Sequence, residues 1–272
     1  MADVFKRHRI TSRGSGGQVV VFAHGFGCDQ LVWSDVTPAF EADYRVVTFD
    51  HVGCGLSDRR AYRPERHGSL KGYALDLLDV IDAVTDQPVV LVGHSVSGTI
   101  GLLASILLPD RFRHVVAVNP SPRYTNDGQG YVGGMETADV EAMLEQMEVD
   151  TQHWADTLAP LVMENADRPE LTERLTRSFL STDPDLLRAF ARTVFLSDVR
   201  HELSRVTVPV DIFYSLSDAV VPVSAINYLA RRLPDVECTS LDASGHYPQL
   251  SAPEELIRKL QQVFRRRLTP AP

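Results

Sequence analysis

The chemistry of this chain centres on a serine, Ser95, which stands between an apolar run and a group of small residues. The run from Val89 to Val92 predicts a buried strand, and a new apolar pattern begins after Gly98. A serine at such a sharp strand-to-helix turn takes a strained backbone conformation that exposes its hydroxyl. Because a serine hydroxyl is a weak nucleophile until a base removes its proton, Ser95 predicts a histidine, an acid and oxyanion donors elsewhere in the chain.

Two polar residues that follow later predicted strands could complete this site. His246 comes after the last predicted strand, and Asp218 comes after the strand before it. Because parallel strands gather such groups at their carboxyl ends, we expect both residues to meet Ser95 there. His246 would take the serine proton and later deliver it to the leaving group, while Asp218 would hold the imidazole tautomer. Asp242 is closer to His246 in sequence, but it lies at the end of its strand, so Asp218 is the preferred acid.

Two backbone N–H groups are the candidate oxyanion donors. Val96 follows the nucleophile directly, and Phe26 lies in the turn His24-Gly25-Phe26-Gly27 after a short apolar run. The two histidines that flank these segments, His24 and His94, are expected to pack or hydrogen-bond locally and to take no direct part in the chemistry.

The elements that must position these residues alternate between strand and helix, which predicts an α/β fold with a mostly parallel, doubly wound sheet. Strands are predicted at 18–23, 45–50, 88–92, 114–119, 208–214 and 236–241, and helices at 33–40, 70–81, 98–107, 223–232 and from 253. Residues 121–205 carry only helical spacings, so we expect a helical lid there, inserted into a core formed by residues 1–120 and 206–272.

Composition excludes several function classes. The chain has 272 residues, 44% of them hydrophobic, and its net charge of −9 argues against nucleic acid or an anionic membrane as a partner. No stretch reaches the roughly 20 apolar residues of a membrane span, and the first residues do not form a signal peptide. Three cysteines without a CxxC pair predict free thiols and a cytoplasmic location. The sequence contains no His, Cys and Asp cluster that suggests a metal site, and its glycine-rich loops do not suggest a nucleotide, so we expect no metal and no cofactor.

Several motifs together resemble one branch of the α/β-hydrolase family. They are Gly93-His94-Ser95-Val96-Ser97, Ser121-Pro122-Arg123-Tyr124, Ser197-Asp198-Val199-Arg200 and Gly245-His246-Tyr247-Pro248. The order serine, aspartate, histidine is also that of the α/β-hydrolase triad. The branch contains the bacterial stress-signalling hydrolase RsbQ and the plant karrikin and strigolactone receptors, and the resemblance runs over nearly the whole chain. The serine nucleophile separates it from the dehalogenases and epoxide hydrolases of this fold, which attack with a carboxylate.

This resemblance implies a four-helix lid over a closed apolar pocket and, in an RsbQ-like protein, a PAS-domain phosphatase as partner. It places the following residues in the pocket lining: Phe26, Met135, Leu158, Phe179, Val194 and Ala219.

The triad and oxyanion residues motivate one function, and the resemblance alone motivates a second. The first is a serine esterase or lactonase that acts on a small hydrophobic ester, lactone or butenolide. The second is a signalling module that binds or slowly hydrolyses a small molecule and changes its interaction with a protein partner. The two are compatible, because a receptor can retain the triad.

Overall fold

A single seven-stranded sheet organises the molecule, which is described from a computed structural model over residues 4–268. The sheet order is β1-β3-β2-β4-β5-β6-β7, and only β1 runs antiparallel to its neighbour. The strands are β1 (Thr11–Arg13), β2 (Val19–Ala23), β3 (Arg45–Phe49), β4 (Val89–His94), β5 (Phe112–Val118), β6 (Val210–Ser217) and β7 (Val236–Ser244).

Helices cover both faces of this sheet. Every residue of β2 and β4 is buried, which requires a layer on each side. Their valine-rich sequences suit this position, because β-branched side chains pack well on a pleated surface. The helices are α1 (Val4–Arg7), α2 (Pro64–His67), α3 (Leu70–Val84), α4 (Val96–Leu107), α5 (Thr137–Val149), α6 (Thr151–Met163), α7 (Pro169–Ser181), α8 (Pro184–Phe195), α9 (Val223–Arg232), α10 (Pro248–Ser251) and α11 (Pro253–Leu268). The predicted α/β fold with a mostly parallel sheet is therefore confirmed.

Several local predictions differ from the structure. The helix predicted at 33–40 is instead two 3-10 turns, Gln30–Trp33 and Thr37–Phe40. Pro38 explains the interruption, because it lacks an N–H and disfavours helical geometry in the residue before it. Strand β1 was not predicted, since its three polar residues carry no apolar alternation. Strand β7 extends to Ser244, three residues beyond the predicted end.

Four helices, α5 to α8, lie between β5 and β6 in the chain. One of them contacts the loop before α10 directly: the carbonyl of Val162, near the end of α6, accepts a hydrogen bond from the backbone N–H of His246 at 2.8 Å. Asn165 donates its Nδ2 to the carbonyl of Ser244 at 3.2 Å. Gly245 between them has φ of +82°, and a Cβ there would lie 2.1 Å from the Met163 carbonyl oxygen. The helical segment is thus joined to the carboxyl end of β7 by backbone contacts.

The terminal residues of the predicted core, 1–3 and 269–272, lie outside the described part of the chain. Within residues 4–268, no helix combines the length and the apolar character that a bilayer crossing requires.

Candidate active site

The turn between β4 and α4 holds Ser95 in a conformation that few residues adopt. Ser95 has φ of 55° and ψ of −124°, and its backbone N–H donates to the carbonyl of Val118 on the neighbouring strand at 2.7 Å. The turn is possible because strand and helix touch: a Cβ on Gly93 would lie 2.5 Å from the Ser97 carbonyl oxygen. This strained turn aims the Ser95 side chain at the carboxyl edge of the sheet.

Three side chains meet at that edge in an unbroken hydrogen-bond chain. Ser95 Oγ lies 2.8 Å from His246 Nε2, and His246 Nδ1 lies 2.8 Å from Asp218 Oδ2. The carboxylate accepts the Nδ1–H, so Nε2 is left to accept the Ser95 hydroxyl proton. The His246 and Asp218 side chains are only 4% and 1% exposed, which keeps water away from both hydrogen bonds. Asp242 is exposed on β7 and belongs to no such contact with His246.

Backbone groups hold the acid in place. Asp218 Oδ1 accepts hydrogen bonds from the N–H groups of Val220 and Val221, at 2.8 and 3.0 Å. These two bonds use the oxygen that does not face the histidine. The other oxygen is therefore free to bind Nδ1 alone, and the carboxylate cannot rotate without losing both backbone donors.

Two hydrogen bonds also fix the backbone carbonyl of His246. Its carbonyl accepts from His94 Nε2 at 2.8 Å and from Asn119 Nδ2 at 3.1 Å. Asn119 in turn accepts the Ser215 N–H at 2.8 Å, which links the histidine loop to β6. Burial holds the pKa of His94 well below its usual value, so this histidine is neutral and donates through Nε2. His94 thus bonds to the backbone of His246, 152 positions away in the chain.

The two candidate oxyanion donors lie on adjacent segments. Helix α4 begins at Val96, so its N–H is in the first turn and has no acceptor within the helix. Phe26 follows Gly25, where a Cβ would lie 3.1 Å from the Ser95 Cβ. The Phe26 loop therefore passes directly beside the nucleophile.

An aromatic cluster lies beside Ser95, and most of its members were not predicted as site residues. Tyr124 places its hydroxyl 3.3 Å from Ser95 Oγ, and burial raises the pKa of that hydroxyl. The Phe195 ring lies 5.2 Å from the Tyr124 ring and 5.3 Å from the Phe26 ring. Three further rings lie 6.0 to 6.3 Å from Phe26, those of Trp154, Phe179 and Phe190. The helical spacings within residues 121–205 indicated buried faces, but spacing cannot say what a buried face covers.

The six residues predicted to line the pocket occupy different environments. Three are buried, namely Phe26, Phe179 and Val194. Met135 and Leu158 are partly buried against the core, and Ala219 is exposed beside Asp218. Of the six, Phe26 and Phe179 belong to the aromatic cluster.

Metal-binding side chains do not gather at this site or elsewhere in residues 4–268, where no group of three or more His, Cys, Asp or Glu residues could hold an ion. The three cysteines at 28, 54 and 238 are free thiols, and the first two are buried. Burial raises the pKa of Cys28 to about 12.

Comparison with known proteins places this geometry in a family. Residues 18–253 match the model of the alpha/beta hydrolase fold. The chain is 38% identical over 258 residues to Karrikin insensitive 2 receptor CA of Petunia hybrida, covering 94% of this chain and 95% of that protein. It is 37% identical to Strigolactone esterase D14 of Arabidopsis thaliana, covering 93% and 94%.

A solved structure agrees over almost the full length. A hydrolase from Oleispira antarctica superposes with a TM-score of 0.93 and 35% sequence identity, covering 97% of this chain and 96% of that chain. The residues matched by the family model, 18–253, include Ser95, Asp218 and His246. The chain belongs to the α/β-hydrolase family.

Proposed function

We propose that the chain is a serine hydrolase that cleaves small hydrophobic esters, lactones or butenolides, with Ser95, His246 and Asp218 as its catalytic triad. The observation that carries this proposal is the hydrogen-bond chain from Asp218 Oδ2 through the His246 ring to Ser95 Oγ, with both bonds at 2.8 Å. Relatives with the same fold that are named esterases support the reaction class.

The geometry performs the reaction in two halves. Ser95 Oγ attacks the ester carbonyl carbon while His246 Nε2 takes the hydroxyl proton, and the N–H groups of Phe26 and Val96 bind the oxyanion. The tetrahedral intermediate then breaks its bond to the alcohol oxygen, which receives the proton from His246. Water then attacks the Ser95 ester while His246 takes one of its protons, and His246 returns that proton to Ser95 Oγ as the ester bond breaks and the carboxylic acid leaves. Throughout, Asp218 stabilises the imidazolium and does not itself take the proton.

The surroundings of Ser95 favour a small, apolar substrate. The rings of the aromatic cluster lie at centroid separations of 5.0 to 6.3 Å, and Tyr124 brings its hydroxyl 3.3 Å from Ser95 Oγ. We take residues 121–205 as a lid over a core of residues 1–120 and 206–272, with the pocket between them lined by Phe26 and Phe179 among the six residues named above. No cofactor takes part in this chemistry.

Intact-mass spectrometry tests the proposal. The protein is exposed to a panel of small p-nitrophenyl esters and lactones and quenched in acid. We expect a mass increase equal to the acyl group, which peptide mapping locates on Ser95, and no increase in a Ser95→Ala variant. Two results would overturn the proposal. One is a Ser95→Ala variant that is acylated to the same extent as the parent, and the other is an adduct that forms on a residue other than Ser95 and not on Ser95.

A second function rests on the similarity to proteins named as receptors, at 38% identity over 94% of the chain. In that function the chain is RsbQ-like: it binds or slowly hydrolyses a small hydrophobic ligand and then acts on a protein partner such as a PAS-domain phosphatase. A pull-down with a recombinant PAS-domain phosphatase from the same genome, with and without a synthetic butenolide, tests it. Binding that changes with the butenolide supports signalling, and absence of binding in both states contradicts it.

A further inference from the structure

The segment His24-Gly25-Phe26 is hydrogen-bonded to helix α4, which follows Ser95. Two residues outside the triad, Ser97 and His51, make these contacts. We propose that Ser97 and His51 are positioning residues that act through His24 to fix the peptide plane shared by Gly25 and Phe26, and so aim one donor of the oxyanion hole. The inference rests on the proposed function, in which the Phe26 N–H binds the developing oxyanion.

Ser97 lies on α4, two residues after the nucleophile, and is fully buried. Its hydroxyl donates to the carbonyl of His24, a group that can only accept. The hydroxyl proton of Ser97 is therefore used in this bond, and Ser97 Oγ can only accept a hydrogen bond from a second partner. That partner is His51 Nε2, at 2.7 Å, which must carry a proton and donate.

The ring of His24 completes the connection. Its Nδ1 lies 2.8 Å from the carbonyl oxygen of Gly25, so Nδ1 carries the proton. Its Nε2 is then an acceptor, and it receives the backbone N–H of His51 at 3.1 Å. Burial lowers the pKa of His24 and holds that of His51 well below its usual value, so both rings are neutral and each has one fixed tautomer. His51 therefore binds this network twice, once through its ring and once through its backbone.

The consequence for Phe26 follows from peptide geometry. The Gly25 carbonyl and the Phe26 N–H belong to one peptide unit, and every peptide bond among the described residues is trans. In a trans peptide the two groups point in opposite directions, so a hydrogen bond that holds the Gly25 oxygen also aims the Phe26 N–H. Ser97 holds the carbonyl one residue earlier, and the two bonds together fix two consecutive peptide planes.

The same network couples the two oxyanion donors. Ser97 and Val96 are neighbours on α4, whereas Phe26 is about 70 positions earlier in the chain. Because Ser97 binds the carbonyl of His24, the helix that carries the Val96 N–H also sets the position of the Phe26 loop. A donor must lie within about 2.7–3.1 Å of the oxyanion to stabilise it, so a small rotation of this loop is costly in rate.

A comparison with Thr99 distinguishes a purely structural role of Ser97 from the proposed role in positioning the Phe26 N–H. Thr99 lies on the same helix, is equally buried, and donates its hydroxyl to a loop carbonyl, that of Ser121, at 2.8 Å. Its partner is outside the Phe26 loop. Loss of the Thr99 hydroxyl therefore removes a similar buried hydrogen bond from the fold, but it should not rotate the Phe26 amide.

The experiment compares Ser97→Ala with Thr99→Val on p-nitrophenyl acetate and on a small alkylboronic acid, which forms a tetrahedral adduct with the active serine. For Ser97→Ala we expect kcat to fall about 10-fold, part of the 10²–10³ lost when a donor is removed entirely. KM should change less than twofold, and the boronic acid affinity should weaken by the same factor as kcat. Thr99→Val should keep kcat and boronic acid affinity within twofold while losing a comparable part of its thermal stability.

Equal kcat and equal boronic acid affinity in Ser97→Ala and the parent would overturn this inference, as would equal losses in Ser97→Ala and Thr99→Val. Should Ser97→Ala fail to fold, Ser97→Cys is measured in its place, because a thiol of similar size is only a weak donor. Failure of the proposed function is distinguishable: it shows as turnover that survives Ser95→Ala, whatever the Ser97 variants do.

Discussion

His246→Ala should lower kcat for p-nitrophenyl ester hydrolysis by about 10⁶-fold, the order of magnitude found when the histidine of a serine triad is removed. The cause is the loss of the imidazole nitrogen that lies 2.8 Å from Ser95 Oγ and would take its proton. The variant is assayed at high enzyme concentration against the uncatalysed rate. Its folding is checked by circular dichroism, because the imidazole also fills a buried position.

His201→Ala is the matched control for this experiment. The His201 side chain is 73% exposed, and it is paired only with Glu202 among the described contacts. Its loss should leave kcat within twofold of the parent. A His246→Ala variant that is folded and retains more than a tenth of the parent kcat would contradict the assignment of the general base.

Asp218→Asn should lower kcat by about 10⁴-fold at neutral pH while leaving the fold intact. An asparagine fits the same space, but it can present its NH₂ to His246 Nδ1, and this favours the tautomer with the proton on Nε2. Such a ring cannot accept the Ser95 proton. The loss is measured as kcat, and a KM close to that of the parent is expected because Asp218 does not contact substrate in the proposed mechanism.

Asp242→Asn separates the two candidate acids. Asp242 was the competing aspartate in the sequence, and the structure leaves it exposed on β7. We expect this variant to keep kcat within twofold. If Asp242→Asn lost activity and Asp218→Asn kept it, the acid of the triad would have to be reassigned.

The sequence alone determined the fold class and the residues to examine. Apolar runs, glycine positions and strand-helix alternation are local signals, and they were sufficient to predict the sheet and the turn at Ser95. They failed where local preference is weak or interrupted. The three polar residues of β1 form a strand only because β3 offers them an edge. The interruption at Pro38 likewise turned a predicted helix into two short turns.

Only the tertiary structure decided which of these residues act together. The choice between Asp218 and Asp242 depends on the direction in which each side chain leaves its strand, and a 2.8 Å contact with His246 cannot be read from order along the chain. Tyr124 reaches Ser95, and Ser97 reaches the His24 carbonyl, across 29 and 73 positions of sequence. Residue spacing encodes what a segment buries, whereas hydrogen-bond partners between segments are set by packing. For that reason Ser95 could be predicted from the sequence, whereas the hydrogen bonds that join Ser97, His24 and His51 are visible only in the tertiary structure.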